Sequence, residues 1–172
     1  MSNYTPVEYL TKIQKLKYKA AFFPILLVVL SFVINLIFKL DHLKYFAIIG
    51  LIWYIFTIIR FRVRKNYPPE SETEILLSPI YGKITKISKN SVTIKKGLYQ
   101  AVDIRYTGQG NEVKIISKNV NYFENEPTLA GKLIGIVSAS AVCVCEISED
   151  WKIEVSLGDK VVSGETILAV KI

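Results

Sequence analysis

The sequence has very few of the residues on which most catalytic and metal sites depend. It holds one histidine, His42, and two cysteines, Cys143 and Cys145. A serine nucleophile needs an adjacent base, and a metal centre needs several clustered ligands. No glycine-rich phosphate-binding loop is present either. These absences argue against a histidine-based triad, a metal centre and a nucleotide site, so we expect no catalytic, cofactor-binding or metal-binding residue.

The two cysteines stand two positions apart in the segment S-A-V-C-V-C-E. Residues at this spacing in a β-strand face the same side, and neighbours on one strand have poor geometry for a disulfide. We therefore interpret Cys143 and Cys145 as two small, buried apolar residues.

Two apolar runs dominate the amino-terminal part of the chain. Residues 20–38 and residues 45–59 contain no charged side chain. A bilayer core of roughly 30 Å needs about 20 mostly apolar residues in helical form. The first run meets this length, and the second does so if Leu43 and Lys44 join it, with Lys44 reaching the headgroups. The pattern predicts a transmembrane helical hairpin; a membrane-embedded hairpin that does not cross and a buried hairpin of a soluble protein remain alternatives.

Basic residues flank both outer ends of this hairpin. Residues 1–65 have a net charge of +8 and residues 66–172 of −1, which together give the +7 of the chain. Each basic residue near the surface favours binding to anionic lipid by about 1 kcal/mol. Segments rich in lysine and arginine that flank a membrane span lie on the cytoplasmic side. We expect a multi-pass protein of the inner or cytoplasmic membrane with both termini cytoplasmic, no cleaved signal peptide, and no nucleic-acid partner. The flanking residues are Lys12, Lys15, Lys17, Lys19, Arg60, Arg62, Arg64 and Lys65.

The remaining sequence predicts four regions. Residues 1–19 form a juxtamembrane segment, where apolar residues three apart favour either an amphipathic surface helix or a simple extension of the first span. Residues 20–65 form the hairpin. Residues 66–74, with Pro68 and Pro69, form a linker. Residues 75–172 form a cytoplasmic, all-β domain of about nine short strands, with residues 119–127 as a loop. The acids Asp103, Glu112, Glu124 and Glu126 are interpreted as solvated strand edges and loops.

Two glycine-marked segments stand out in the β region. They are L-L-S-P-I-Y-G-K-I-T-K-I at residues 76–87 and V-S-L-G-D-K-V-V-S-G-E-T-I-L-A-V at residues 155–170. Glycine supplies the positive φ that tight corners need, so Gly82, Gly158 and Gly164 are predicted structural turns. Together the two segments resemble the halves of a barrel-sandwich hybrid, the β fold of biotinyl and lipoyl domains.

L-S-P-I-Y-G-K-I also resembles the L-S-P-A-D-G-K-V segment of phosphatidylserine decarboxylases. The segment G-K-L-I-G-I-V-S-A-S-A-V-C-V-C-E-I at residues 131–147 and the closing G-D-K-V-V-S-G-E resemble later parts of the same family. Smaller members of that family also carry an amino-terminal membrane hairpin. The resemblance implies a membrane-anchored protein of phospholipid metabolism with phospholipid as its partner, and a protein partner or a second copy is possible.

The sequence departs from that family at its catalytic residues. The family converts a serine of a G-S-T or G-S-S motif into a pyruvoyl group, which acts as an electron sink. That motif would follow Ile172, Tyr81 stands where the family has an aspartate, and the family histidine has no counterpart. Ser163 belongs to a turn instead. We therefore expect a protein without catalytic activity of its own. The alternatives are a decarboxylase subunit active only with a second chain, and a membrane-tethered transport or secretion adaptor.

Overall fold

The computed structural model describes residues 4–40, 42–70, 74–108 and 112–172. The loop residue Asp41, part of the predicted linker and residues 109–111 lie outside these ranges. The chain forms two compact units: one comprises Thr11–Arg62, and the other comprises the residues before Thr11 together with Val63–Ile172. The helical unit is thus inserted into the β unit, because both of its ends continue into the same unit.

Two helices form the apolar region. Helix α1 spans Val7–Phe38 and helix α2 spans Leu43–Arg60. At 1.5 Å per residue they measure about 48 Å and 27 Å. Helix α1 has no break near residue 19, so most of the predicted juxtamembrane segment is helical and continuous with the first apolar run. It ends where Lys39 adopts a left-handed φ of 53°.

Both helices are long and apolar enough to cross a membrane. They touch at Gly50, where an added Cβ would lie 2.8 Å from Cγ2 of Val28. Many of their large apolar side chains are exposed; Phe32 is 62% and Phe46 is 51% accessible. Exposed apolar surface of this extent is typical of a segment that is covered by lipid or by a partner.

Eleven strands build the described part of the β unit. They form three antiparallel sheets, ordered β1-β11-β9, β10-β2-β3-β8-β5 and β4-β7-β6, and the sheets do not close into a barrel. The strands are β1 Ile75–Leu77, β2 Gly82–Ser88, β3 Ser91–Lys96, β4 Asp103–Arg105, β5 Val113–Ile116, β6 Val120–Tyr122, β7 Leu133–Val137, β8 Ala141–Glu146, β9 Trp151–Ile153, β10 Lys160–Val161 and β11 Ile167–Lys171.

The sheets pack around one apolar core. Ile84, Ile94 and Leu168 are among its fully buried side chains, and β-branched residues such as the two isoleucines suit strands that are buried on one face. Cys143 and Cys145 lie in this core as unpaired, fully buried thiols with their sulfur atoms 3.8 Å apart. The interpretation of the cysteines as buried apolar residues is confirmed.

The β-rich architecture is as expected, but some details differ. Strand β6 lies within residues 119–127, which were predicted to be a loop. Gly82 is not a corner: it begins β2 opposite Val161 and is absent from the described glycines with positive φ. Glycine is needed there for space, because an added Cβ would lie 2.6 Å from the carbonyl oxygen of Lys95. Gly158 and Gly164, with φ of 94° and 70°, are turns as predicted.

Candidate functional site

The two glycine-marked segments, far apart in sequence, lie against each other in the β unit. The amide of Gly164 donates to the carbonyl of Ser78 at 2.7 Å. The hydroxyl of Ser163, which is fully buried, donates to the carbonyl of Pro79 at 2.9 Å. These two contacts fix the position of the segment just before Tyr81. It also confirms Ser163 as a turn residue whose hydroxyl is used to hold two loops together.

A buried ion pair lies in the same region. Nε of Arg105 donates to Oδ2 of Asp103 at 2.9 Å, and both side chains are fully inaccessible. Oδ1 of Asp103 has no hydrogen-bond partner in the part of the chain that the structure describes. Burial raises the pKa of Asp103, and the charge of Arg105 opposes that rise. The prediction that Asp103 is a solvated strand-edge residue is therefore wrong.

The guanidinium of Arg105 also binds three carbonyl oxygens from separate parts of the chain. Nη1 donates to Tyr4 at 3.2 Å and to Gly131 at 3.0 Å, and Nη2 donates to Arg64 at 3.1 Å. The residue just before α1 and the segment just after α2 thus share one buried cation. Because of these contacts, residues 64–66 are part of the β unit, whereas the sequence predicted a hairpin up to residue 65 followed by a linker.

A cleft of about 350 Å³ opens beside this ion pair, and we call it the Tyr81 pocket. Tyr81 is only 6% accessible. Burial raises the pKa of its phenol above the ordinary value, and the nearby charge of Asp103 adds to the rise. The phenol therefore stays neutral at physiological pH and can donate a hydrogen bond. The lining residues are Arg64, Lys65, Tyr67, Tyr81 and Glu165.

The other polar groups of the Tyr81 pocket carry charges of both signs. Arg64 and Lys65 are exposed cations that lie next to each other in sequence. Oε1 of Glu165 accepts a hydrogen bond from the amide of Tyr67 at 3.1 Å. Arginine and lysine side chains suit a phosphate or carboxylate, and the carboxylate of Glu165 suits an ammonium group. The arrangement can bind a small zwitterion or anion.

Comparison with protein-family models, with curated proteins and with solved structures gave no match. The resemblance to phosphatidylserine decarboxylases therefore depends on the quoted motif residues alone.

The structure distributes the other predicted residues among several places. Arg64 and Lys65 line the Tyr81 pocket, while the remaining basic flanking residues do not. Glu112 and Glu126 are exposed, as expected. Glu124 is not simply solvated, because it accepts hydrogen bonds from Lys132 at 2.7 Å and from the hydroxyl of Tyr9 at 3.0 Å. These contacts lower its pKa.

Sequence reasoning missed the Asp103–Arg105 pair. The only available signal was an acid and a base two positions apart in an apolar segment, D-I-R, which places both side chains on one face of a strand. The spacing alone does not distinguish a buried strand face from an exposed one. Among the described residues, no group of three or more potential metal ligands is present.

Proposed function

We propose that the protein is membrane-anchored, resembles phosphatidylserine decarboxylases, and binds a phospholipid headgroup in the Tyr81 pocket without decarboxylating it unaided. The observation that carries this proposal is the composition of the pocket, in which Arg64 and Lys65 lie beside a neutral, buried phenol. These cations follow the end of α2 at Arg60 by only a few residues. A site so close in sequence to an apolar span is well placed for a lipid ligand.

The chemistry of the pocket supports binding rather than proton transfer. A general base must be able to accept a proton near the working pH, and a buried phenol with a raised pKa is already protonated. Ser163 is inaccessible and hydrogen-bonded to Pro79, so it is not presented as a nucleophile. His42 lies at the amino-terminal cap of α2 in the helical unit. Under this proposal the headgroup phosphate binds Arg64 and Lys65, and Tyr81 donates a further hydrogen bond.

Titration of the full-length protein in detergent with dihexanoyl-phosphatidylserine and dihexanoyl-phosphatidylglycerol tests the proposal. The double substitution Arg64→Gln and Lys65→Gln removes two charge-assisted hydrogen bonds, each worth about 1.5–3 kcal/mol. Together they are worth about 3–6 kcal/mol, so we expect affinity to fall by about two to four orders of magnitude. Arg62→Gln with Lys118→Gln makes the same change in net charge outside the pocket and should leave affinity unchanged. Equal loss in both double variants would show that binding is not local to the Tyr81 pocket.

The finer features of the fold and topology are also proposals. Pairing of β2 with β10, where Gly82 opposes Val161, supports a barrel-sandwich relationship between the two glycine-marked segments. The basic flanks support a cytoplasmic position for both termini. An assay for carbon dioxide release from phosphatidylserine separates the alternatives. We expect none from the purified protein, whereas release only on addition of a second protein would favour the split-enzyme alternative.

A further inference from the structure

The outward face of the five-stranded sheet carries a cluster of lysines that becomes visible only from the strand register. Lys160 lies opposite Lys83, and Lys83 lies opposite Lys95, so three lysines form one row across β10, β2 and β3. All three are exposed. Cross-strand partners have Cβ atoms about 4.5–5.5 Å apart. Two directly opposed pairs of like charge therefore lie side by side.

The next row of the same face extends the cluster. Lys86 pairs with Thr93, Thr93 pairs with Val144, and Val144 pairs with Lys114. Cross-strand partners share a face of the sheet, and Thr93 shares the face of Lys95 two positions along β3. Lys86 and Lys114 are exposed as well. We call these five residues, Lys83, Lys86, Lys95, Lys114 and Lys160, the lysine face.

Ion pairs do not neutralise the charge of the lysine face. Within the ranges that the structure describes, none of the five lysines takes part in an ion pair. On this face Glu146, opposite Ser91, lies beyond the second row, and its amide donates to the carbonyl of Glu112. Asp159 directly precedes Lys160, and its carboxylate accepts a hydrogen bond from the amide of Ser156 at 2.8 Å. Like charges placed directly opposite each other destabilise a sheet. The arrangement therefore opposes folding stability in the isolated protein and favours an anionic surface that neutralises it.

We infer that the lysine face docks on the anionic lipid surface of the membrane that anchors the chain. The β unit continues directly from α2, so the local concentration of that surface is high and weak contacts suffice. Partly exposed Val142 and Val144 and exposed Ile116 lie among the lysines, a mixture suited to the headgroup region. No aromatic residue is among the paired outward residues of these strands, whereas single-stranded nucleic acid is bound by aromatic stacking platforms.

The test uses the full-length protein in nanodiscs with an environment-sensitive fluorophore at Thr93→Cys. The native cysteines are fully buried, so labelling should be confined to the introduced thiol. A quencher carried by the lipid should quench this probe in phosphatidylglycerol-containing discs but not in pure phosphatidylcholine discs. Salt at about 1 M, where the Debye length is about 3 Å, should abolish the effect. A probe at Glu126→Cys, outside the five-stranded sheet, should remain unquenched throughout.

Charge substitutions provide the matched comparison. The triple variant Lys83→Gln, Lys95→Gln and Lys160→Gln should lower the docked-to-undocked ratio by about fivefold per lysine, or about a hundredfold together. The control triple variant Lys89→Gln, Lys118→Gln and Lys152→Gln should behave as the unsubstituted protein. Quenching of equal size in neutral discs, or quenching unaffected by the first triple variant, would overturn the inference. Protection of the Thr93→Cys probe only when single-stranded DNA or polyglutamate is added would also overturn the inference. Because Arg64 and Lys65 are unchanged, a negative result here leaves headgroup binding in the Tyr81 pocket to be judged separately.

Discussion

The residue that does most to join distant parts of this chain is Arg105. Burying a guanidinium is costly unless its hydrogen-bonding groups are satisfied. Here Arg105 binds Asp103 and three carbonyl oxygens, those of Tyr4, Arg64 and Gly131. The cation thus donates to carbonyls from three separate segments, of which Tyr4 also accepts from the amide of Leu133 and Gly131 from the side chain of Asn66. Asp103 supplies the compensating charge, although one of its oxygens has no partner in the described structure.

Replacing Arg105 alone should therefore be severe. In Arg105→Met the carboxylate of Asp103 loses its counter-ion in a fully buried position, and we expect a loss of about 3–5 kcal/mol in unfolding free energy. Adding Asp103→Leu to the same protein should recover part of that loss, because it removes the unpaired charge. Lys89→Met, which breaks the exposed pair with Glu149, should cost at most about 1 kcal/mol. Denaturant unfolding in detergent measures all four proteins. If Arg105→Met alone lowered the unfolding free energy no more than Lys89→Met does, the assigned role of Arg105 would be contradicted.

The three predicted turn glycines should respond differently to alanine. At Gly158 the nearest atom to an added Cβ is 3.7 Å away, so only the positive φ opposes substitution and we expect a cost of about 1 kcal/mol. At Gly164 the Cβ would lie 2.5 Å from Cδ of Arg105, and at Gly82 it would meet backbone. Both substitutions should lower the thermal midpoint clearly more than Gly158→Ala. Equal effects at all three positions would mean that the neighbours of Gly164 and Gly82 can move aside for an added Cβ.

At the scale of the elements, the sequence predicts what is local and misses what depends on register. The apolar runs predict α1 and α2, and alternation with turn residues predicts most strands, because both signals lie within a few residues of one another. Strand β6 was not predicted because its short V-N-Y sequence lies among polar residues. The lysine face and the Asp103–Arg105 pair were not predicted for another reason, namely that they depend on how the strands pair and pack. A net charge of −1 over residues 66–172 conceals how the sheet separates lysines from acids.

The contact between the two helices provides a test within the helical unit. Gly50 allows α2 to approach Pro24 and Val28 of α1 closely, and small residues serve this purpose in membrane helix pairs. Gly50→Leu should force the helices apart and cost about 1–3 kcal/mol, as overpacking of a tight contact does. Ile49→Leu, at an exposed neighbouring position, is the matched control. The helical circular-dichroism signal during heating in detergent should show an earlier loss for Gly50→Leu only.

At the scale of the whole molecule, the described contacts constrain how the chain can be threaded through a membrane. Arg105 binds Tyr4, which precedes α1, and Arg64, which follows α2. Both ends of the helical unit therefore continue into one folded unit. A single crossing would separate these ends and break that unit. We therefore predict that the helical unit, where it enters a membrane, either crosses it twice or returns without crossing.

Labelling of intact cells with a membrane-impermeant maleimide distinguishes these topologies. Cysteines introduced at Glu8 and Glu126 should both be protected, because the basic flanks favour the cytoplasmic side. A cysteine at His42, in the connection between α1 and α2, should react if the hairpin crosses twice. Protection at all three positions would indicate a hairpin that enters without crossing, and labelling at Glu8 and Glu126 but not at His42 would indicate the reverse orientation. Opposite behaviour of Glu8 and Glu126 would require a single crossing and would contradict the hydrogen bonds that gather both ends of the helical unit on Arg105.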